Sequence, residues 1–243
     1  MSARTPDTEP LLTVRNLQAW YGRAHILMGV DLTVGRGEVV ALMGRNGAGK
    51  TTTMKTIMGL MDARAGSVSF DGRDVSALPP HRIARLGLGY VPEDRRVFTE
   101  LTVEENLEVG RQPPRPGAPA WTPERLYRLF PNLAEMSGRR GGRMSGGEQQ
   151  MLTLARTLMG NPSLLLLDEP SEGLAPRIVQ QMADAVRALK AEGLSVLLSE
   201  QNLSFAAAVA DRASVIEKGR IRFDGPMQAL LEDEAARRQY LAL

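Results

Sequence analysis

Gly44-Arg45-Asn46-Gly47-Ala48-Gly49-Lys50-Thr51 is the stretch that decides the fold. It satisfies G-x-x-x-x-G-K-[ST] in full, and its flanks have the right character. The continuous apolar run Val39 to Met43 precedes it and reads as a buried strand, while Thr51 to Met61 follows with a helical pattern. A strand, a glycine-rich loop and a helix start place main-chain N–H groups around a small concavity. The positive end of the helix dipole points into that space, so a phosphate chain is held mainly by backbone. Lys50 then supplies a full positive charge for the β- and γ-phosphates, and the Thr51 hydroxyl supplies an oxygen ligand for Mg²⁺.

Working outward, Leu164-Leu165-Leu166-Leu167 is a second buried run and ends on Asp168-Glu169. Ligands of open α/β sheets bind at the C-terminal ends of the strands, where these two carboxylates fall. Asp168 suits a water-mediated contact to Mg²⁺, and Glu169 suits a general base on an attacking water. A third element lies upstream. Ser145-Gly146-Gly147-Glu148-Gln149 opens a helical run, and Gln149 stands 19 residues before Asp168. Ser145, Gly146 and Gly147 form a second helix start rich in free N–H groups, hence a second anion site. Within one chain that site is redundant. It makes sense if it reaches a nucleotide held by another copy.

The remaining pattern places these segments in an α/β domain. Val30, Leu32 and Val34 alternate, as do Val68 and Phe70, and Ser195 to Leu198 is a further buried strand. Ser214 to Ile216 and Arg220 to Phe223 flank Lys218-Gly219, which reads as a hairpin. Ile178, Met182, Val186 and Leu189 form one helical face, with Gly193 as its stop. From about Leu101 to Gly160 the pattern is helical, broken by the proline-rich loop Gln112 to Pro119. The expected fold is a P-loop NTPase-like core with a mostly parallel sheet, an antiparallel β subdomain and a helical insertion. The expected division is one domain over 11–243, with 11–92 and 161–225 as core, 93–160 as the helical subdomain and 226–243 as C-terminal helices.

Composition removes several other classes. The 243 residues carry a net charge of +2, too little to draw the chain to nucleic acid or anionic lipid. Aromatics are 5%, too few for a base-stacking surface. The chain has no cysteine, so disulfides and thiolate metal sites are out. No apolar run approaches the roughly 20 residues of a spanning helix, and Met1 to Pro10 lacks the basic-then-apolar order of a signal peptide. The chain is expected to stay in the cytosol unless a partner holds it at a membrane. His25 and His81 are the two histidines, and both read as solvated or satisfied.

Together these motifs resemble the nucleotide-binding domain of ABC transporters over roughly Leu11 to Leu243. The resemblance implies a head-to-tail dimer that sandwiches two ATP molecules with Mg²⁺. Each ATP would lie between Gly44 to Thr52 of one copy and Ser145 to Glu148 of the other. Tyr21 matches the aromatic that stacks on adenine. Ser171-Glu172-Gly173-Leu174 matches the D-loop, with Ala175 where an Asp is usual. Glu148 stands where many members have Gln. Tyr90-Val91-Pro92-Glu93 occupies the Q-loop, with Glu93 in place of Gln and able to ligate Mg²⁺. In Ser199-Glu200-Gln201-Asn202, Gln201 replaces the His that contacts the γ-phosphate.

Those two replacements are usual in the smaller ATPase subunit of branched-chain amino acid importers. Val91 to Phe98, Leu101 to Leu107, Leu129-Phe130-Pro131 and Tyr240-Leu241 are also similar to that subfamily. The resemblance implies an ATPase on the cytoplasmic face of the cell membrane, paired with a second ATPase subunit, as a heterodimer or a homodimer. It would bind integral permease subunits, serve a periplasmic binding protein indirectly, and bind no nucleic acid. Uptake of urea or short amides, and export of lipid or lipopolysaccharide, are the alternative functions. The segment Glu93 to Phe98 would face the permease, with Arg95 and Arg96 as candidates to pair with its acids.

Overall fold

The computed structural model describes residues 9–62 and 64–241, so the reading of the extreme N-terminus lies mostly outside the described residues. The strands are β1 (Leu12–Tyr21), β2 (Ala24–Val34), β3 (Val39–Met43), β4 (Arg64–Phe70), β5 (Arg73–Asp74), β6 (Leu88–Val91), β7 (Leu164–Asp168), β8 (Ser195–Glu200), β9 (Arg212–Glu217) and β10 (Arg220–Pro226). The helices are α1 (Lys50–Ile57), α2 (Pro80–Leu86), α3 (Val103–Gly110), α4 (Pro123–Leu129), α5 (Pro131–Glu135), α6 (Gly146–Leu158), α7 (Pro176–Ala191), α8 (Leu203–Val209) and α9 (Met227–Glu232). Helical turns over 234–241 follow α9.

Six strands form the central sheet in the order β10-β9-β3-β8-β7-β6. Its strands run parallel except β10, which returns antiparallel beside β9. Both faces of this sheet are covered, which is why β3 and β7 are continuous apolar runs rather than alternating ones. Val39, Ala41 and Met43 pack on one side with α6, α7 and α8, and so do Leu165 and Leu167. Val40 and Leu42, with Leu164 and Leu166, pack on the other side against α1 and the second sheet. That second sheet is antiparallel, ordered β2-β1-β4-β5. Helices α3 to α6 carry the segment between β6 and β7. This is the α/β architecture that the sequence patterns imply, and it brings the C-terminal ends of β3, β7 and β8 to one edge.

Two local expectations need correction. The helix after the glycine-rich loop ends at Ile57 rather than Met61. Gly59 adopts φ +71° and closes it, with Gly59 N–H donating to Thr56 O at 3.0 Å and Leu60 N–H to Lys55 O at 2.8 Å. That pair of bonds is a Schellman stop. Strand β10 runs to Pro226, so the C-terminal helix begins at Met227. Periodicity also fails to mark β1. Its pairing with β2 is interrupted by bulges after Val14, Leu17 and Ala19, and Asn16 sits at φ +46°. Each bulge resets which face a residue points to, so strict alternation is lost.

Candidate functional site

Helix α1 begins where Gly49 adopts φ +116°, a region that side chains rarely enter, with Leu27 so close that a Cβ would lie 2.9 Å from it. Lys50 is 3% exposed. Its ammonium donates to Gly44 O at 2.8 Å and Arg45 O at 3.2 Å, and pairs with Glu169 Oε1 at 3.1 Å. The loop curls around its own lysine, with Ala48 N–H donating to Arg45 O at 3.1 Å.

Asp168 is fully buried at the end of β7. The parallel register sets Asp168 opposite Ser199 of β8, and the Ser199 hydroxyl donates to Asp168 Oδ1 at 2.6 Å. Thr51 Oγ1 donates to the same oxygen at 3.0 Å, and the Tyr90 hydroxyl donates to Oδ2 at 3.0 Å. Burial, then the charge and hydrogen bond of Asp168, hold the Tyr90 phenol protonated well beyond its ordinary range.

Glu169 leaves the strand at φ +46°, a conformation costly for a non-glycine residue and concentrated at functional sites. Burial acts to raise its pKa, but hydrogen bonds from Glu172 and Gln201 and the charge of Lys50 outweigh it and leave the carboxyl below the usual range. Glu172 is the other half of this pair. Its hydrogen bond to Glu169, then partial desolvation and the charges of Glu169 and Glu93, push it up to about 7. Gln201 spans the gap to the loop, donating to Asn46 Oδ1 at 2.6 Å and Glu169 Oε2 at 2.9 Å. Buried Glu200 ties two loops together by accepting from the N–H groups of Ser171, Gln201 and Asn202, each at 3.1 Å.

Beside them is a cleft of about 480 Å³ whose walls include Tyr21, Asn46, Lys50, Thr51, Glu93, Glu169 and Glu172; Asp168 and Gln201 do not line it and bond to its wall at Thr51 and Glu169. Tyr21 is 49% exposed at its rim. The donor set is hard oxygen, which suits Mg²⁺. Among the described residues no three His, Asp or Glu side chains gather into a site of their own. A Mg²⁺ here would take its remaining ligands from phosphate and water, the usual habit of that ion.

Ser145, Gly146, Gly147 and Glu148 do not line this cleft. They open α6 as a reciprocal cap: Ser145 Oγ accepts from Glu148 N–H at 3.4 Å, and Glu148 Oε2 accepts from Ser145 N–H at 2.7 Å. The glycines permit close packing, since a Cβ on Gly147 would stand 2.9 Å from Ile178 of α7 and one on Gly146 would overlap the Arg95 guanidinium. Arg95 is half-buried against Gly146, while Arg96 pairs with Asp94 at 2.7 Å and stays exposed. Half-buried His25 stacks on Trp20 with ring centroids 4.5 Å apart, and its Nε2 is buried with no partner among the described residues, so it is not a fully satisfied side chain. Tyr90, Glu172, Ser199 and Glu200 carry contacts that the motifs did not assign.

The family described as ABC transporter matches residues 27–172. The chain is 44% identical over 231 residues to the high-affinity branched-chain amino acid transport ATP-binding protein BraG of Pseudomonas aeruginosa, covering 95% of this chain and 99% of that one. It is 35% identical over 232 residues to the lipopolysaccharide export system ATP-binding protein LptB of Escherichia coli, covering 95% and 96%. Among solved structures, the ADP form of an ATP-binding cassette of an ABC transporter superposes with a TM-score of 0.78 at 27% identity, covering 94% of this chain and 97% of that one. Among the described residues no helix is long and apolar enough to cross a membrane.

Proposed function

The chain belongs to the ABC transporter family as an ATP-binding, ATP-hydrolysing subunit that acts with permease subunits and as a dimer, and from that premise we propose that it powers uptake of branched-chain amino acids. The 44% identity to BraG, running the length of both chains, carries this reading. The pairing of Glu93 with Gln201 supports it, because that combination is usual in the smaller ATPase subunit of such importers. That usage also favours a heterodimer over a homodimer, peripheral on the cytoplasmic face, with a periplasmic binding protein acting on the far side. The similarity to LptB keeps lipopolysaccharide export as the second reading, although Gln and His are usual at those two positions in that group.

At the site, the amides of Gly44 to Thr52 and the Lys50 ammonium hold the phosphates, and Tyr21 stacks on the adenine. Incoming phosphate replaces Glu169 as the partner of Lys50, which frees the carboxylate to accept a proton from water. Thr51, Asp168 and Glu93 would hold a Mg²⁺, which would supply positive charge to the phosphate oxygens. Gln201 orients the attacking water as a neutral donor. Ser145 to Glu148 face the nucleotide of the second ATPase subunit, and closure of the dimer draws the helical subdomains together. The groove of about 580 Å³ lined by Leu60, Tyr90, Phe98 and Val109 lies beside Glu93 to Phe98 and supplies an apolar seat for a permease segment.

The test is transport by the reconstituted complex against a panel of branched-chain amino acids, urea, short amides and lipopolysaccharide. Uptake confined to branched-chain amino acids is expected. Stimulation by urea, amides or lipopolysaccharide instead overturns the assignment.

A further inference from the structure

The three hydroxyls on Asp168 divide unevenly between its two oxygens. Thr51 and Ser199 both donate to Oδ1, at 3.0 and 2.6 Å. The Tyr90 hydroxyl alone is found on Oδ2 among the described residues, at 3.0 Å. Thr51 and Ser199 approach from α1 and β8, whereas Tyr90 approaches from β6, where it pairs with Leu166 in the parallel ladder. The carboxylate is thus gripped from three elements, and one of its two edges depends on a single phenol.

The torsion that rotates a carboxylate about its last bond is broad and has no sharp staggered wells. Thr51 and Ser199 restrain it through Oδ1 alone, and Tyr90 adds the restraint at Oδ2. The Tyr90 hydroxyl is an uncharged donor 3.0 Å from Oδ2. It orients the carboxylate without neutralising it, whereas a lysine or arginine there would compete with a metal for the same charge.

We propose that Tyr90 is a positioning residue that sets the plane of the Asp168 carboxylate and so tunes the affinity of the site for Mg²⁺ independently of its affinity for nucleotide. This rests on the metal-side assignment of Asp168 made above. The motif that contains Tyr90 is read for Glu93, three residues on, and a chain with Phe at position 90 would keep the same apolar wall without the bond.

The test is Tyr90→Phe in the full chain, with Asp168→Asn beside it. Thermal unfolding is followed with ATP alone, then with ATP and increasing Mg²⁺. For Tyr90→Phe the shift produced by ATP alone is expected to match the wild type, while the Mg²⁺ concentration that half-saturates the further shift rises about three- to tenfold. In the assembled transporter kcat falls with KM for ATP within about twofold of the wild type, the split expected for a transition-state effect. If Asp168→Asn raises the Mg²⁺ requirement and Tyr90→Phe leaves it unmoved, the role given to Tyr90 is overturned and the metal assignment stands. If neither variant moves it, the metal assignment falls and this inference with it.

Discussion

The phosphate loop and the signature helix are both glycine-rich helix starts, yet they are finished to different degrees within one chain. At the loop, Lys50, Asp168, Glu169 and Gln201 form a connected set with Thr51, Tyr90 and Ser199. At the signature, the side chains of Ser145 and Glu148 serve the cap of α6 and the segment borders no part of the cleft. The first region joins groups from the loop and from β6, β7 and β8, whereas in the second Ser145 and Glu148 satisfy each other within one helix turn. On the proposed reading, the difference means that one chain would suffice for capture, while the chemistry would need a second subunit to bring its signature to the phosphate.

The largest effect that would sharpen this contrast lies at Glu169. Replacing it with Gln keeps the hydrogen-bonding shape and removes the base. ATP turnover in the assembled transporter is expected to fall about a hundred- to ten-thousand-fold with nucleotide affinity retained. Turnover near the wild-type rate would remove Glu169 from the mechanism.

A smaller effect tests how complete the loop side is in isolation. Glu172 has its pKa raised to about 7 by the bond it shares with Glu169, against a reference value of 4.5. Between about pH 4.5 and 7 the folded chain holds a proton that the unfolded chain lacks. This contribution to stability is fully present below about 4.5 and is lost as pH rises through about 7. Urea midpoints of the nucleotide-free chain are expected to decline over that window, and Glu172→Gln is expected to flatten the decline. An unchanged slope in the variant would show that the pair does not share a proton.

The smallest effect concerns the cap of α6. Glu148→Ala removes the acceptor for Ser145 N–H and is expected to cost about 0.5–1 kcal/mol, or a drop of about 1–4 °C in Tm. It leaves nucleotide affinity of the isolated chain unchanged. A large loss of affinity from this variant would break the separation between the two regions.

The sequence makes some of this legible and hides the rest for a physical reason. Gly44 to Thr52 and Leu164 to Glu169 are contiguous, so residue type and flanking hydrophobicity suffice to place the loop, the helix start and the two carboxylates. The strands β3, β7 and β8 are readable because burial on both faces forces unbroken apolar runs. The bulged β1 and the four-residue β6 are not, since neither sustains a period. The contacts of Tyr90, Ser199 and Glu172 are invisible in the same way. They depend on the register of β6, β7 and β8 and on the course of the loop after Glu169, which no local pattern encodes. The role of Glu148 was available in principle, because Ser-x-x-Glu before a helix is the signature of a capping box.

The most direct test of the central claim is a nucleotide titration of the isolated chain carrying either Lys50→Ala or Ser145→Asp. Ser145 is exposed at the N-cap of α6, where Asp caps a helix as well as Ser does, yet its charge repels phosphate. Lys50→Ala is expected to lower Mg-ATP affinity by about a hundredfold or more, while Ser145→Asp leaves it within about twofold of wild type and stops turnover once the transporter is assembled. An equal loss of affinity in both variants of the isolated chain would contradict the account.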